Sequence, residues 1–527
     1  MTVRKHLPYE FNLDLANFSL PDGFLFGVCN SPYHVEGDYN SDGYPFNQWG
    51  RWELEGEVET SGKANRFWHN YQHHIDKAKS LGLNAFRMGF DWTRVQPTYQ
   101  PDVAAEPPFD PDAFDRYSEI VAAIYDADME PVITIYHFIQ PAWVGTNLWI
   151  EDALVEKFMT YATTTIYEVN KRLVNKGYPP IWFWVTFNEP GIPPQCTFLN
   201  LEHPHDPEKV GMESAVTCQD NILACHIKLY GIIHQMYEKE GWRTPHVGFN
   251  TVANSLYEFD KGFYDLCRAR EYGVKREDLS EYFKKQRQDF YQIYNRIADR
   301  RLGSISDQRL HYENAKHQAI LDYSPLKFTR AIDVLYESKT PQNMDYVAIN
   351  IYEPFLAGTK YERPAGRDIS VADPAGRPPW WEWDHERKTY EDHLELYGRD
   401  TLGLPLYILE ASIGHEQPLF GAPKPRPDGL TRIQYLKETL GEVMRGIQRG
   451  YPIHGYLYWT LADNYEWGTY TVRLGLLEYD FTNHIILDTD AFGLPTGETF
   501  RSLIEAMQSG DPIQMEHHFS SLDPIRI

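Results

Sequence analysis

Residues 183–190, Phe-Trp-Val-Thr-Phe-Asn-Glu-Pro, join an apolar run to an amide, a carboxyl group and a proline. A short and nearly continuous apolar run is typical of a strand that is covered on both faces, as in a parallel sheet. Asn188 and Glu189 then lie at the carboxyl end of this strand. This stretch therefore predicts both an element of a parallel sheet and a polar group at its rim.

Similar apolar runs recur along the chain on both sides of residues 183–190, with helical patterns between them. Eight segments are predicted strands: Phe24–Cys29, Asn84–Phe90, Pro131–His137, Phe183–Asn188, His246–Val252, Asp345–Tyr352, Pro405–Glu410 and Gly455–Trp459. Asn65–Leu81 and Thr431–Arg449 are predicted helices, because apolar residues recur on one face and a glycine follows each. Alternating strands and helices indicate an α/β fold, and eight strands favour a (β/α)8 TIM barrel.

The 527 residues are predicted to form a single catalytic domain, since barrels with long insertions often exceed roughly 400 residues. Three stretches are predicted insertions: about 191–212, 264–324 and 357–403. Each follows a predicted strand on the C-terminal side of the barrel, where βα loops bind substrate. The third holds Trp380, Trp381 and Trp383, which either line a binding mouth or plug a long loop.

Composition and charge limit the kinds of partner that the protein is expected to bind. The net charge of -25 is spread along the chain and argues against nucleic acid or an anionic membrane as a partner. No stretch has the length and apolar purity of a membrane span. Five cysteines form no CxxC pair, and the N-terminus shows no signal-peptide pattern, so a cytoplasmic location is expected. Aromatic residues reach 15%, which suits either a core or a sugar-binding cleft.

Two glutamates end apolar strands on opposite sides of the predicted barrel. Glu189 ends the fourth strand, and Glu410 ends the seventh, in Leu406-Tyr-Ile-Leu-Glu410. Glycosidic cleavage requires one protonated carboxyl to donate to the leaving oxygen and one carboxylate to attack or stabilise the anomeric carbon. A single glutamate at a strand end is as readily a solvated or ion-paired group. Two of them at the same rim favour a glycosidase site.

Further polar and aromatic residues occur at other strand ends. Arg87 lies within an apolar strand and needs a carboxylate partner, either an ionised nucleophile or a structural ion pair elsewhere. His137, Asn350 and Tyr352 end the third and sixth strands, where each suits a sugar hydroxyl or an ordinary core hydrogen bond. The stretch Trp459-Thr-Leu-Ala-Asp-Asn-Tyr-Glu-Trp467 adds two stacking surfaces and a carboxylate.

These and other short motifs follow one another over nearly the whole barrel. They are Phe24-Leu-Phe-Gly27, Tyr33-His-Val-Glu-Gly37, Phe86-Arg-Met-Gly-Phe-Asp-Trp-Thr-Arg94, Pro97, Tyr136-His137, Thr186-Phe-Asn-Glu-Pro190, Asn350-Ile-Tyr352, Glu410, Trp459…Asp463-Asn-Tyr-Glu-Trp467 and Tyr470-Thr-Val-Arg473. In order and spacing they resemble glycoside hydrolase family 1, the β-glucosidase and β-galactosidase family. The resemblance implies a retaining exo-β-glycosidase that uses no cofactor and no metal.

The resemblance also implies roles for the matching residues. Glu189 is implied to be the general acid/base, and Glu410 the nucleophile, which Arg87 and Tyr352 position. The residues implied to bind the sugar are His34, His137, Asn188, Asn350, Glu466 and Trp467, with Trp459 as a platform and Asn188 at the hydroxyl next to the anomeric carbon. The two carboxyl groups are expected about 5–5.5 Å apart, the separation found in retaining enzymes.

Some positions depart from the family pattern. His34 replaces the usual Gln, so the preferred sugar is left open. Leu409-Glu-Ala-Ser412 replaces Thr-Glu-Asn-Gly, and Phe138 replaces a Trp and loses an N–H donor. Members that act on 6-phosphosugars resemble a pattern with Ser at Glu466 and Lys at Val472. Because neither is present, the sequence predicts that a phosphoglycoside is not the substrate.

Three alternative functions can be compared with that of a retaining glycosidase. A metal enzyme would use His73-His74, His203-Pro-His205 or Cys218 with Cys225-His226, but none has the spacing of a tetrahedral zinc site. A non-catalytic sugar-binding barrel would be favoured by the loss of either glutamate, and both are present. A transglycosylase shares both carboxyl groups and stays open. The predicted partner is a small glycoside or oligosaccharide, and the sequence leaves a homo-oligomer open.

Overall fold

The computed structural model describes residues 13–520 apart from 104, 254–256, 303–323, 353–387, 400, 402 and 427. Its central feature is a closed parallel barrel whose last strand pairs with its first. The strands are β1 Leu25–Cys29, β2 Ala85–Gly89, β3 Glu130–Tyr136, β4 Phe183–Asn188, β5 His246–Val252, β6 Val347–Ile351, β7 Leu406–Ala411 and β8 Ile453–Trp459. The fold is thus the predicted (β/α)8 TIM barrel, with every predicted strand in place.

Helices follow the strands and cover the barrel from outside. They are α1 Pro32–Val35, α2 Gly50–Glu55, α3 Phe67–Ser80, α4 Trp92–Val95, α5 Pro111–Asp126, α6 Asp152–Asn175, α7 Met212–Glu240, α8 Lys261–Arg268, α9 Leu279–Leu302, α10 Thr329–Glu337, α11 Lys388–Gly398, α12 Arg432–Gln448, α13 Thr496–Ser509 and α14 Pro512–Ser520. The two predicted helices correspond to α3 and α12. Thr431 and Gln434 form a capping box at the start of α12, which explains why that helix begins there.

The barrel strands are apolar on both faces because one face packs on helices and the other fills the barrel interior. Side chains from several strands form the inner layer, including Phe183, Tyr346, Tyr407 and Leu457. Gly248 lets this layer pack closely, since a Cβ atom there would lie 2.7 Å from the Tyr346 ring. The barrel interior is therefore filled with packed side chains, and the polar side chains of the site lie at the rim above this layer.

The predicted insertions differ in how much of each the structure describes. The first, 191–212, follows β4 and contains one turn of π-helix at Pro194–Leu199. The second, 264–324, is described to 302 and again at 324, and includes α9. Most of the third, 357–403, lies outside the described residues, as do Trp380, Trp381 and Trp383, so their role stays a prediction.

Short elements complete the C-terminal part of the chain. His415–Glu416 pairs with Val472–Arg473, and Tyr479–Asp480 pairs with Ile485–Ile486, each as a two-stranded antiparallel sheet. Short 3-10 turns occur at Leu15–Asn17, Leu148–Ile150, Tyr257–Phe259, Arg276–Asp278 and Pro325–Lys327. All five cysteines are buried and free. Within the described part of the chain, no helix combines the length and apolar character needed to cross a membrane.

Candidate active site

The carboxyl ends of the barrel strands bring polar side chains to one level. Asn188 of β4 pairs with Asn250 of β5, and Asn350 of β6 pairs with Glu410 of β7. The strand register shifts just before Asn188 and just before Asn350. Such β-bulges redirect neighbouring side chains. The shifts therefore help to turn amide and carboxyl groups from different strands towards a common point above the barrel interior.

Arg87 of β2 lies at the centre of this group and is fully buried. Its Nη1 donates to Glu410 Oε1 at 2.5 Å, and its Nη2 donates to Asn188 Oδ1 at 2.7 Å. Its Nε donates to Thr134 Oγ1 at 3.1 Å. A buried guanidinium is tolerated only when it is ion-paired and its N–H groups have acceptors. Arg87 meets both conditions, and it links β2 to the strands that carry Glu410 and Asn188.

Glu410 receives a donor on each carboxyl oxygen. Arg87 bonds Oε1, and the Tyr352 hydroxyl donates to Oε2 at 2.9 Å. Burial raises the pKa of Glu410, while the Arg87 charge and the Tyr352 hydrogen bond act in the opposite direction. Both of these partners bind the ionised carboxylate better than the neutral acid. The surroundings of Glu410 therefore favour the charged form more than burial alone would allow.

Glu189 follows Asn188 directly and has a different environment. Its backbone N–H donates to Asn250 O at 2.8 Å, and its Oε1 accepts from Asn350 Nδ2 at 2.6 Å. Burial, and next the negative charge of Glu410, raise the pKa of Glu189 to about 8. No cation contacts Glu189 in the described part of the chain, so its neutral acid is the favoured form at neutral pH. When the two carboxyls share one proton, it resides on Glu189.

An aromatic and imidazole wall stands beside the two carboxyl groups. Trp459, the last residue of β8, stacks with His137 at a centroid distance of 5.6 Å and an interplanar angle of 28°. The His34 ring packs edge-on against Trp459 at 5.2 Å and against Trp467 at 4.3 Å. Burial, followed by the Arg87 charge, holds the pKa of His137 well below its usual range. His137 is therefore a neutral hydrogen-bonding group.

Glu466 joins this wall to the carboxyl pair. His34 Nε2 lies 3.5 Å from Glu466 Oε1, and Asn464 Nδ2 donates to Glu466 Oε2 at 3.3 Å. The charge of Glu466 also helps to raise the pKa of Glu189. Hydrogen bonds, ring contacts and charge effects thus bring together all of the sequence-predicted site residues, which are His34, Arg87, His137, Asn188, Glu189, Asn350, Tyr352, Glu410, Trp459, Glu466 and Trp467.

Three residues at this site have a left-handed backbone conformation although none is glycine. The φ angles are +64° at Phe138, +41° at Glu189 and +36° at Trp467. A positive φ costs a non-glycine residue on the order of 1–2 kcal/mol, and it persists only where the surrounding structure enforces it. Such conformations cluster at functional sites. The backbone therefore holds Glu189 and Trp467 in fixed orientations that a relaxed chain would not keep.

Four residues that shape the site were not predicted from the sequence to belong to it. Asn250 donates to Asn188 Oδ1 at 2.8 Å, Thr134 accepts from Arg87, and Ser31 hydrogen-bonds His34 Nδ1. A polar residue inside a predicted strand was the signal that revealed Arg87, and it would also have revealed Asn250 and Thr134. The fourth residue, His203, comes from the first insertion, and no periodic pattern indicates where such a loop lies.

The histidine clusters considered for a metal have other partners. His73 Nε2 accepts from the backbone N–H of Ile486 at 3.2 Å, and His74 Nε2 lies 3.2 Å from Asn65 O. The two ring nitrogens of His226 bond Thr186 Oγ1 and Asn343 O, both at 2.8 Å. Across the residues that the structure describes, no three His, Cys, Asp or Glu side chains group in a way that could hold a metal ion.

A closed parallel barrel with two buried carboxyl groups at its C-terminal rim suits the two-carboxyl chemistry of glycoside hydrolases. The sequence model of Glycosyl hydrolase family 1 matches residues 16–486. The chain belongs to glycosyl hydrolase family 1 and is a β-glycosidase of that family. The resemblance that the motifs predicted is thereby confirmed.

Known proteins that resemble the chain carry more than one activity in their names. The 6-phospho-beta-galactosidase of Staphylococcus aureus strain N315 is 23% identical over 488 residues, which cover 88% of this chain and 94% of that protein. The family 1 β-glucosidase from Thermotoga maritima superposes with a TM-score of 0.63 at 18% identity, covering 93% of this chain and 99% of its own. The AHE enzyme from Alicyclobacillus herbarius gives a TM-score of 0.62 at 20% identity, covering 93% and 100%.

Proposed function

We propose that the chain is a retaining exo-β-glycosidase in which Glu410 is the nucleophile and Glu189 the general acid/base. The observation that carries this proposal is the difference between the two carboxyl environments. Glu410 is bonded by a guanidinium and a phenol, whereas Glu189 is bonded by a neutral amide and has a pKa raised to about 8 by burial and by Glu410. An enzyme that cleaves a glycosidic bond in two steps needs one ionised and one protonated carboxyl.

In the first step, Glu410 attacks the anomeric carbon while Glu189 gives its proton to the departing oxygen. Asn350 donates to Glu189 Oε1, so this oxygen is an acceptor and the acidic proton belongs on Oε2. The amide oxygen of Asn188 accepts from Arg87 and Asn250, which leaves its N–H donors for the sugar hydroxyl next to the anomeric carbon. The product of this step is a glycosyl ester on Glu410.

In the second step, water releases the sugar from Glu410. Esterification removes the negative charge that helps to raise the pKa of Glu189, so this pKa falls and Glu189 becomes a base. It then takes a proton from the attacking water. Arg87 and Tyr352 stabilise the carboxylate of Glu410 as it departs. A sugar acceptor in place of water would give transglycosylation by the same steps, and the ratio of free sugar to transfer product distinguishes these two activities.

We further propose that the sugar carries no phosphate, although the Staphylococcus aureus relative is named for a 6-phosphogalactoside. The buried carboxylates of Glu410 and Glu466 face the region where the sugar would bind and would repel a dianion. Val472 stands where members that act on 6-phosphosugars have a lysine. Its side chain is apolar and buried in a short sheet beside Glu416, so it supplies no cation for a phosphate. We also propose that the chain is a single catalytic domain that acts on a small glycoside in the cytoplasm. The five free cysteines suit a reducing compartment.

A panel of 4-nitrophenyl β-glycosides tests this proposal, namely the glucoside, galactoside, fucoside, mannoside, xyloside and glucuronide together with the 6-phosphates of the first two. We expect hydrolysis of at least one neutral member. Because like-charge contacts cost several kcal/mol, kcat/KM should exceed that of the matching 6-phosphate by at least about 100-fold. A preference for the 6-phosphate would overturn the choice of a neutral sugar but not the mechanism. Inactivity on every member would contradict the proposed function itself.

The pH dependence of kcat/KM follows from the same two carboxyl groups. Catalysis requires Glu189 protonated and Glu410 ionised, and Glu189 has the higher affinity for the proton. Activity should therefore fall as the pH rises through about 8, where Glu189 loses its proton, and fall again in acid, where Glu410 gains one. In Glu189→Gln, which has no carboxyl to titrate, the alkaline limb should disappear from the profile of an activated aryl glycoside. An unchanged alkaline limb in that variant would assign it to another group.

A further inference from the structure

His203 belongs to the first insertion, residues 191–212, and its imidazole packs on the aromatic wall of the site. Its ring centroid lies 5.3 Å from that of Trp467, at an interplanar angle of 31°. The same ring lies 5.3 Å from Trp49 and 6.0 Å from Phe138. His203 thus covers part of Trp467 next to Phe138, whose side chain carries no polar atom. It adds an imidazole with two ring nitrogens to the part of the wall formed by Trp467 and Phe138.

The backbone of the insertion holds this ring in place. The N–H of His203 and that of Glu202 both donate to Cys196 O, at 3.1 and 2.8 Å. Farther along, the N–H of Gly211 donates to Phe198 O at 2.8 Å. The loop is therefore folded back onto the π-helical turn from which it leaves. A side chain fixed in this way loses little further freedom when it binds a ligand, which favours a binding role.

Both ring nitrogens of His203 lack a hydrogen-bond partner among the described residues, and the residue is half-buried, not sealed in the core. Burial, and then the neighbouring His34, lower the pKa of His203 to about 3. The ring is therefore neutral at ordinary pH and offers one donor and one acceptor. A cavity of about 10 Å³, lined in part by Phe138, Gln48 and His203, has room for about one water molecule beside it.

The position of His203 indicates which part of a sugar it would meet. Trp467, on which His203 packs, also contacts the ring of His34 at 4.3 Å. His203 therefore lies at the end of the site marked by His34 and Trp467. A sugar whose anomeric carbon lies between the two carboxyl groups presents its remote hydroxyls to that end.

We propose that His203 is a specificity-determining residue that hydrogen-bonds the 3- or 4-hydroxyl of the bound sugar. This rests on the proposed function, because it takes the anomeric carbon to lie between Glu189 and Glu410. His203 is a binding residue and takes no part in proton transfer. Its imidazole discriminates by donating to, or accepting from, a hydroxyl at one carbon of the ring. A sugar lacking that hydroxyl leaves the imidazole without its partner, as in the free protein.

The test compares His203→Phe with the wild type on three substrates, namely the preferred aryl β-glycoside of the panel and its 3-deoxy and 4-deoxy forms. Phenylalanine keeps a flat ring on Trp467 and removes both nitrogens. We expect kcat/KM on the parent glycoside to fall about 10-fold, mainly through KM, as for the loss of one neutral hydrogen bond. On one deoxy substrate the variant and the wild type should agree within about twofold. His203→Gln, which keeps a donor and an acceptor, should restore part of the loss.

His205→Phe is the matched control, because it replaces another imidazole of the same insertion by phenyl at a position that contacts Trp52. It also removes the bond from His205 Nδ1 to His203 O, so it reports on loosening of the loop. In this control the ratio between parent and deoxy substrates should stay at its wild-type value. An equal loss on all three substrates in His203→Phe, or no loss on any, would overturn the proposal. If the proposed function itself were wrong, the wild type would be inactive, and this outcome is distinct from the two above. In that case the same comparison is made with calorimetric affinities for the free parent and deoxy sugars in place of kcat/KM.

Discussion

Glu410→Gly is expected to lower kcat for an aryl β-glycoside by at least about 10⁵-fold, the scale on which enzymes lose activity with a covalent nucleophile. The substitution removes the atom that would bond the anomeric carbon and leaves Arg87 without its anion. It also creates room beside Arg87 and Tyr352, where the carboxylate had been held. Steady-state hydrolysis, with folding checked by circular dichroism, measures the effect.

Added azide gives this first prediction a stereochemical check. A small anion that enters the vacated space meets the anomeric carbon from the face that Glu410 attacks, while Glu189 still protonates the leaving group. The product expected from a β-glycoside is therefore the α-glycosyl azide, formed in a single displacement. Glu416→Gly serves as a control, since Glu416 is a nearby glutamate in the short sheet with Val472 and is only partly buried. Retention of most activity in Glu410→Gly would remove Glu410 from the role of nucleophile.

Glu189→Ala is expected to affect substrates according to their leaving groups. Loss of a general acid/base costs on the order of 10²–10⁴-fold. The full loss should appear with an alkyl glycoside, whose leaving oxygen needs the proton. With a 2,4-dinitrophenyl glycoside the first step needs no acid, so the glycosyl-enzyme should accumulate and release of the sugar should limit the rate. Stopped-flow measurement should then show a burst of dinitrophenolate.

Azide should act differently on this second variant. It needs no general base, so it should attack the glycosyl ester on Glu410 and speed turnover, giving the β-glycosyl azide. The two variants are thus expected to give azides of opposite configuration from one substrate, which separates the two roles even if either variant is partly misfolded. Asn350→Ala, which removes the hydrogen bond to Glu189 and leaves both carboxyls, provides an intermediate comparison. The same anomer from both variants would contradict the assignment of distinct roles.

Much of this architecture was predictable because barrel strands have a simple sequence pattern. A strand such as β4, covered on both faces, reads as a continuous apolar run, and its end is marked by Asn188 and Glu189. The order of strands then follows from parallel βα connections. Glu410 was found in the same way, although its neighbours Leu409, Ala411 and Ser412 differ from the usual family motif. The apolar run before each glutamate is thus enough to place both carboxyl groups at strand ends.

The parts that the sequence did not predict depend on loops and on contacts between distant strands. His203 reaches Trp467 only because the first insertion folds back onto Cys196, and nothing periodic in 191–212 indicates this. The partner of Arg87 was left open between a nucleophile and a structural ion pair, and the structure shows it bonded to Glu410. His34 was recognised as a departure from the family pattern. Its contact with Glu466 could not be predicted, because it joins residues from different parts of the fold, and its hydrogen bond with Ser31 depends on how the two side chains are oriented.

The proposed mechanism depends on a covalent bond between Glu410 and the sugar. Incubation with a 2-deoxy-2-fluoro aryl β-glycoside, followed by mass spectrometry of the intact protein and of its peptides, tests it directly. The fluorine slows both steps, and the activated leaving group keeps the first one fast enough for the intermediate to accumulate. The proposed mechanism predicts one added fluoro-sugar per chain, located on Glu410 and absent in Glu410→Gly. A label on Glu189, or turnover of the parent glycoside with inversion and no label at all, would contradict it.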